Sequence, residues 1–381
     1  MDFLLTQEQE MLKESIRNFA QKEIQPLIKE SDLEGKWPEE LTKTLGEMGL
    51  LGIVIPPEFS GAGYSNIDYV IILEELSKVD PSVGLVVAAH NSLCSNHILM
   101  FGSEDQKKKY LTRLASGQTL GAWGLTEAGA GSDAAALKTR AIKKGDDWLL
   151  NGTKLFITNG SLAEIHVVMA VTDPDKGRKG ISAFVLEKGM EGFRAGKKED
   201  KLGIRSADTS ELIFEDVSVP SANLIGGEGS GYKQAMAILD GGRVSIAGFS
   251  LGIAAGALES SLRYAKERVQ FDQPIANFQA VQWMLADGFT ELDAARLLTY
   301  RAAFLEDQGK RIPKESAMAK LFASELAVKV SSMAVQIHGG YGFTKEYPVE
   351  KFYRDSKLAT IGEGTSEIQR WIIAQKVLSE Y

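Results

Sequence analysis

A glutamate set between two glycines, Glu363 in Ile361-Gly362-Glu363-Gly364-Thr365-Ser366-Glu367-Ile368-Gln369-Arg370, is the side chain best placed for chemistry in this sequence. Flanking glycines let a carboxylate come close to a ligand, and the following Thr and Ser read as the capped start of a helix. Such a group could take a proton from a bound molecule. On local chemistry alone it fits a solvated loop acid equally well. Two glycine clusters raise the same kind of question. Trp123-Gly124-Leu125-Thr126-Glu127-Ala128-Gly129-Ala130-Gly131-Ser132-Asp133 gathers backbone amides, hydroxyls and an indole, which suits a planar polar ring or a plain helix-to-strand connection. Gln336-Ile337-His338-Gly339-Gly340-Tyr341-Gly342 follows a long helical pattern, where paired glycines either cap the helix or admit a pyrophosphate. His338 fits core packing or a backbone hydrogen bond. The other three histidines are dispersed, and no His/Asp/Glu set has metal-ligand spacing. No Gly-x-Gly-x-x-Gly follows a strand, so the usual nicotinamide turn is missing.

The elements that must position these residues fall into three stretches. Leu12, Ile16, Phe19 and Ile24 recur on one helical face, with Thr6 and Gln9 spaced for a capping box, and helical patterns continue through Glu39–Met48 and Val70–Leu76. From about residue 120 the pattern turns to strands, with His166–Val171, Ile181–Leu186 and Leu212–Phe214 as runs and Asp173–Gly177 as a turn. Asn151-Gly152 predicts a type I′ hairpin turn between Leu150 and Thr153. After Gly226–Gly231, which reads as a flexible connection, helical periodicity returns. Met318, Phe322, Leu326, Val330, Met333 and Ile337 mark one long face. Grouped strands between helical stretches give an α+β multidomain chain and argue against a doubly wound parallel sheet. The expected units are 1–119, 120–225 and 226–381.

With 381 residues, 44% hydrophobic, the chain can bury a large core, and a formal charge of −8 with pI near 5.3 argues against a general nucleic-acid binder. A single cysteine, Cys94, excludes an intrachain disulfide and favours a reducing compartment. The start at Met1–Thr6 has neither a basic signal region nor an Arg-rich transit character, and no run approaches the roughly 20 apolar residues of a membrane span. A cytoplasmic protein without membrane insertion is expected; a mitochondrial matrix location would require a removed transit peptide.

Taken together and in order, Thr126–Asp133, Ile157-Thr158-Asn159-Gly160, Arg268-Val269-Gln270-Phe271, Gln279, Gln336–Gly340 and Glu363-Gly364-Thr365 resemble the acyl-CoA dehydrogenase family, especially its short-chain, butyryl-CoA dehydrogenase-like branch. The resemblance covers nearly the whole chain. It implies an N-terminal helical domain, a middle β-barrel and a C-terminal four-helix bundle, a bound FAD, a homotetramer, and an electron-transferring flavoprotein as acceptor. It places Trp123, Leu125, Thr126, Ser132, Phe156, Ile157 and Thr158 around the flavin or the nearby pantetheine. Arg268, Phe271, Gln279, Gln336, Gly339 and Gly340 fall at the adenine and pyrophosphate end, partly across a subunit interface. Thr365 and Glu367 join the cofactor set, and Ser132, Asp240, Arg243 and Gly364 the acyl-CoA site. Glu363 becomes the base that removes the substrate α proton. One branch of the family carries its base on another helix, immediately before an arginine; here Leu239-Asp240-Gly241-Gly242-Arg243 puts Gly242 at that place, which leaves Glu363.

Ala128 stands for a usual proline, Phe156 for a usual tryptophan, and Asp272 for a frequent glycine. Gly362 stands for the tyrosine common before the base in straight-chain enzymes, which opens room for a branched or cyclic acyl group unless neighbouring side chains fill it. An acyl-CoA oxidase and a non-catalytic acyl-CoA- or FAD-binding relative are the other readings of the same scaffold; the length of the chain disfavours the first, and an intact Glu363 the second.

Overall fold

A computed structural model describes residues 4–380; the first residues of the leader reading, Met1–Phe3, lie outside the described ones. Seven helices come first: α1 (Gln7–Phe19), α2 (Ile28–Glu34), α3 (Glu39–Glu47), α4 (Asn66–Val79), α5 (Pro81–Ala88), α6 (Asn96–Phe101) and α7 (Glu104–Ala115). Thr6 and Gln9 form the expected capping box on α1, whose apolar face buries Ile16 and Phe19. Between α5 and α6 the chain widens into a π-helical turn, Ala89–Ser95, a local irregularity of the kind that gathers at functional sites.

Eight strands follow in one sheet: β1 (Gly121–Gly124), β2 (Arg140–Lys144), β3 (Asp147–Thr158), β4 (Ile165–Val171), β5 (Ile181–Glu187), β6 (Phe193–Lys198), β7 (Thr209–Pro220) and β8 (Leu224–Ile225). Their order is β6-β7-β3-β2-β4-β5-β8, with β1 pairing β4. The sheet curls round on itself. His166 on β4 and Phe193 on β6, four ladder steps apart, meet edge to face at 4.9 Å, and Trp148 on β3 meets Phe184 on β5 at 5.6 Å.

The turn expected at Asn151-Gly152 is absent, because β3 runs unbroken through both residues. Gly152 takes φ +146 at a bulge against β7, and the hairpin lies earlier, at Gly145-Asp146. A long antiparallel ladder with β7 outweighs the local turn preference. The Gly226–Gly231 connection is pinned rather than loose: Gly229 N–H donates to Ser182 Oγ, and a Cβ on Gly231 would meet the Ser182 backbone.

The last part holds α8 (Gly231–Glu267), a short hairpin β9 (Val269–Gln270) and β10 (Gln273–Pro274), then α9 (Gln279–Asp307), α10 (Pro313–His338), α11 (Val349–Ala359) and α12 (Ser366–Glu380). By length and composition α8 could cross a membrane, contrary to the expectation that no such run exists; Gly, Ala and Ser make it apolar without a run of large side chains. Its most apolar window is 94% buried inside the protein. Cβ atoms on Gly252 and Gly256 would collide with the carbonyls of Glu74 and Lys78, in the second half and at the end of α4, so close helix contact offsets the roughly 1 kcal/mol each helical glycine costs. On α10 Leu326, Val330 and Ile337 of the expected apolar face are buried, beside a row of small residues at Ala319, Ala323, Ala327, Ser331 and Ala334, while Phe322 of that face is 39% exposed.

One charge cluster joins the three parts. Lys351 on α11 is buried between Asp80 at 2.7 Å and Asp355 at 2.6 Å, and Asp355 also accepts the backbone N–H of Ile204 from the strand region.

Candidate active site

The Glu363 loop leaves α11 at Ala359 and enters α12 at Ser366. Glu363 itself takes φ +53 and Gly364 φ +98, two left-handed residues in succession. For a non-glycine residue that conformation costs on the order of 1 kcal/mol and persists only where the surroundings hold it. Two buried side chains do so. Gln369 on α12 donates to the carbonyls of Glu363 (3.2 Å) and Gly364 (2.9 Å), and Lys320 on α10 donates to the Gly364 carbonyl at 2.7 Å. Thr365 caps α12 through its Oγ1, which accepts from Ile368 N–H, and Glu367 is exposed on the first turn. The Glu363 N–H has no hydrogen-bond partner among the described residues.

The Glu363 carboxyl turns inward against α8. A Cβ on Gly242 would overlap its Oε2 and stand 3.0 Å from its Cδ and 3.3 Å from Leu93 of the π-helical turn. Oε2 is buried without a hydrogen-bond partner among the described residues. Burial lifts the carboxyl to about 7, opposed by the nearby charges of Lys320 and then Arg243. Arg243 is 5% exposed and paired with Asp240 at 2.5 Å. Beneath Gly242 lies a polar chain that sequence reasoning missed: Ser245 Oγ donates to the Gly242 carbonyl and lies 3.1 Å from Ser92 Oγ, while Ser92 and Tyr69 hydroxyls both donate to the Ala88 carbonyl. Glu306 on α9 faces Gly241, and burial, then Asp307 and Asp240, raise it to about 7. At Gly362 a Cβ would make ordinary contacts only, the nearest with Leu358 at 3.6 Å, so the backbone there would accept a first side-chain atom.

A second group of expected residues gathers where β1 meets β3. Leu155 N–H donates to the Thr126 carbonyl at 2.9 Å, and Lys154 Nζ donates to the Leu125 carbonyl at 3.1 Å. Glu127, within the glycine-rich loop, is the hub: it pairs with Lys154 at 2.6 Å and accepts the N–H groups of Lys138 and Thr139. Burial draws Lys154 down to about 8 against the attraction of Glu127. Phe156 sits in a bulge with φ +59 and is 62% exposed, while Ile157 beside it is buried. The hydroxyls of Thr126 and Thr158 make no hydrogen bond among the described residues, and Ser132 is exposed. Trp123 donates its indole N–H to His97 Nδ1, whose Nε2 reaches Gln234 on α8, both at 3.0 Å. Since Nδ1 accepts, Nε2 carries the proton, and burial pushes His97 down to about 4.

The remaining expected residues lie at the far end of α8. A cavity of about 520 Å³ is lined by Tyr264, Arg268, His338, Gly339, Gly340 and Tyr341. Arg268 lies over the Tyr341 ring at 5.7 Å and pairs with no acid among the described residues. Nothing lies within 4 Å of a Cβ built on Gly339 or Gly340, so the paired glycines end α10 and leave an open cradle as well. His338 makes the expected backbone bond, to Ala334 O at 2.8 Å, and stacks on Tyr264. Phe271 and Asp272 turn the β9–β10 hairpin with φ +50 and +61, the two positive angles of a type I′ turn, in which a phenylalanine is seldom found. Phe271 is 88% exposed; Gln279 and Gln336 are exposed too. Among the described residues no hydrogen bond or ion pair joins this cavity to the Thr126–Thr158 face. The donors in both places fit a dinucleotide flavin: free guanidinium and glycine backbone for a pyrophosphate, free hydroxyls and an exposed aromatic ring for an isoalloxazine.

The chain matches the acyl-CoA dehydrogenase N-terminal domain over residues 6–118, the middle domain over 122–217 and the C-terminal domain over 229–378. It is 48% identical to the short-chain specific acyl-CoA dehydrogenase of Clostridium acetobutylicum, over 99% of this chain and 100% of that one. Butyryl-CoA dehydrogenase of Megasphaera elsdenii superposes with a TM-score of 0.97 at 44% identity, covering 99% of this chain and 100% of the other. A chain solved in work on the electron transferring flavoprotein of Acidaminococcus fermentans and flavin-based electron bifurcation reaches a TM-score of 0.98 at 49% identity, with the same coverage. The chain belongs to the acyl-CoA dehydrogenase family of flavin-dependent oxidoreductases.

Proposed function

We propose that this enzyme oxidises the Cα–Cβ bond of a short acyl-CoA to the trans-2-enoyl thioester, with Glu363 as the base. The observation that carries this is the Glu363 carboxyl: buried, raised to about 7, and with Oε2 left without a partner beside Gly242. A base with its pKa near working pH combines adequate strength with a useful ionised fraction.

A thioester α proton is too weakly acidic for an unaided carboxylate, so the developing enolate oxygen needs fixed donors. The Glu363 N–H is free to be one of them, a contribution of roughly 3 kcal/mol for a preorganised donor. Bound FAD supplies the acceptor for the β hydride. Thr126, Thr158, Trp123 and Phe156 would hold its ring, with Leu125, Ile157 and Ser132 beside them. Arg268, Phe271, Gln279, Gln336, Gly339 and Gly340 would hold its adenine and pyrophosphate end, contributed partly by a neighbouring subunit. Trp283, Phe271, Phe343 and Trp371 are more than half exposed on a single chain, which supports assembly into a homotetramer. Asp240 and Arg243 face the acyl-CoA, and the lack of a side chain at Gly362 favours a branched or cyclic acyl group. Electrons then pass to an electron-transferring flavoprotein, a role supported by the Acidaminococcus relative.

Anaerobic titration with straight, branched and cyclic acyl-CoAs, followed by flavin bleaching in wild type and Glu363→Gln, tests the reading. Bleaching is expected in wild type alone. Full bleaching of the variant at the wild-type rate would remove Glu363 as the base.

A further inference from the structure

We infer that Lys320 is a positioning residue for the base: its buried ammonium fixes the Gly364 carbonyl and holds Glu363 in its ionised, inward-turned state. The inference rests on Glu363 being the base.

Lys320 lies two turns into α10 with no exposed surface. A lysine is almost never fully buried unless paired, and this one makes its single hydrogen bond to a neutral acceptor, the Gly364 carbonyl at 2.7 Å. No carboxylate lies within ion-pair distance of it among the described residues. The compensating charge is Glu363, whose carboxyl is the chief attraction on Lys320; Glu325 and Glu367 add less, and Arg243 repels. In the other direction, Lys320 is the first charge to oppose the burial of Glu363, ahead of Arg243.

The groups around Glu363 divide by element. From α8 come Arg243 and its partner Asp240; from α12, the neutral Gln369; from α4, the neutral Tyr69, whose hydroxyl feels the Glu363 charge; from α10, Lys320 alone. Arg243 is already neutralised by Asp240 at 2.5 Å, so Lys320 is the cation left without a salt-bridge partner. Its ammonium sits on the carbonyl of Gly364, the residue after the base and the second of the left-handed Glu363-Gly364 pair. Charge and geometry therefore act through one contact. Gln369 shares the geometric duty but carries no charge.

The test is the pH profile of kcat/KM for Lys320→Met, Lys320→Arg and wild type, with FAD content measured for each. Loss of the ammonium moves the acid limb upward, and a rise of about half a pH unit halves the ionised fraction of Glu363 at pH 7 and lowers kcat/KM there roughly twofold. Lys320→Arg keeps the limb in place. An unmoved limb in a folded, flavin-loaded Lys320→Met overturns the inference, even though Glu363→Gln is inactive. A dead Glu363→Gln with unmoved limb thus separates this claim from the assignment of the base, which fails only if Glu363→Gln still bleaches.

A second measurement needs no Lys320 variant. Burial draws Lys320 down to about 8, below its unfolded value of 10.5, so the folded state holds fewer protons and stability rises with pH between the two. In Glu363→Gln the attraction is gone, Lys320 falls further, and the rise in Tm begins at lower pH than in wild type. Parallel Tm–pH curves above pH 8, where Glu363 itself has finished titrating, would sink the coupling.

Discussion

Replacing Gly242 by alanine should separate catalysis from stability in one step. A methyl at this position overlaps Glu363 Oε2 and lies 3.0 Å from Cδ, where ordinary contact begins near 3.4 Å. The carboxylate must retreat by about 1 Å or more, since the helix backbone carrying Gly242 is packed and cannot yield. Misplacement of a reacting group on that scale costs about 100-fold in rate. The atom displaced is the free end of a flexible side chain, so the fold itself is barely disturbed, and Gly to Ala in a helix interior contributes up to about 1 kcal/mol of stability. We therefore expect Gly242→Ala to bind FAD normally and melt at the wild-type temperature or slightly above it. The rate of anaerobic flavin bleaching by butyryl-CoA should fall about 100-fold. The assay is single-turnover absorbance at saturating thioester, paired with a thermal melt. A bleaching rate within threefold of wild type would refute the placement of Glu363 against α8. Rate and melting temperature falling together would refute the argument that the side chain alone gives way.

Three further outcomes follow from the site. The acid limb of kcat/KM should lie near pH 7, with activity rising as Glu363 ionises. Because its folded value lies above the unfolded 4.5, the associated stability is present below pH 4.5 and lost as pH rises through about 7; Tm of Glu363→Gln relative to wild type should therefore increase between pH 5 and 8. Lys154→Met strands Glu127 in a buried site, at a cost of roughly 3–5 kcal/mol, and should release FAD at lower temperature than wild type in a flavin-fluorescence melt; an unchanged release temperature would remove Glu127–Lys154 as the anchor of the Thr126 loop. Gly362→Tyr, at a position where a Cβ makes ordinary contacts only, should reduce turnover of 2-methyl-branched or cyclic acyl-CoAs more than that of butyryl-CoA. Equal losses would count against the enlarged pocket.

The alternation of helices, strands and helices was legible because hydrophobic periodicity is local, and so was the capping box at Thr6. Glu363 could be read as a base only from several motifs taken together; its burial depends on α8 and α10, which meet it across long stretches of chain. Lys320 was invisible for the same reason. A lysine among alanines on a helix reads as a solvated face, and only the packed α10 reveals that it points inward. The Glu127–Lys154 pair joins a loop to a strand and carries no spacing signature. Turn chemistry misled in both directions. Asn151-Gly152 has turn residues but sits inside a ladder, while Phe271, a residue foreign to such turns, shares one with Asp272. In each, tertiary contacts overrode the local preference.

The cluster of Lys351, Asp80, Asp355 and the Ile204 N–H also bears on how the molecule comes apart. Its members come from the first helices, the strand region and the last helices, and each would be left with an unmatched buried charge or amide if any one part withdrew. The three parts are thereby made mutually dependent, and calorimetry should record a single cooperative transition instead of three successive ones.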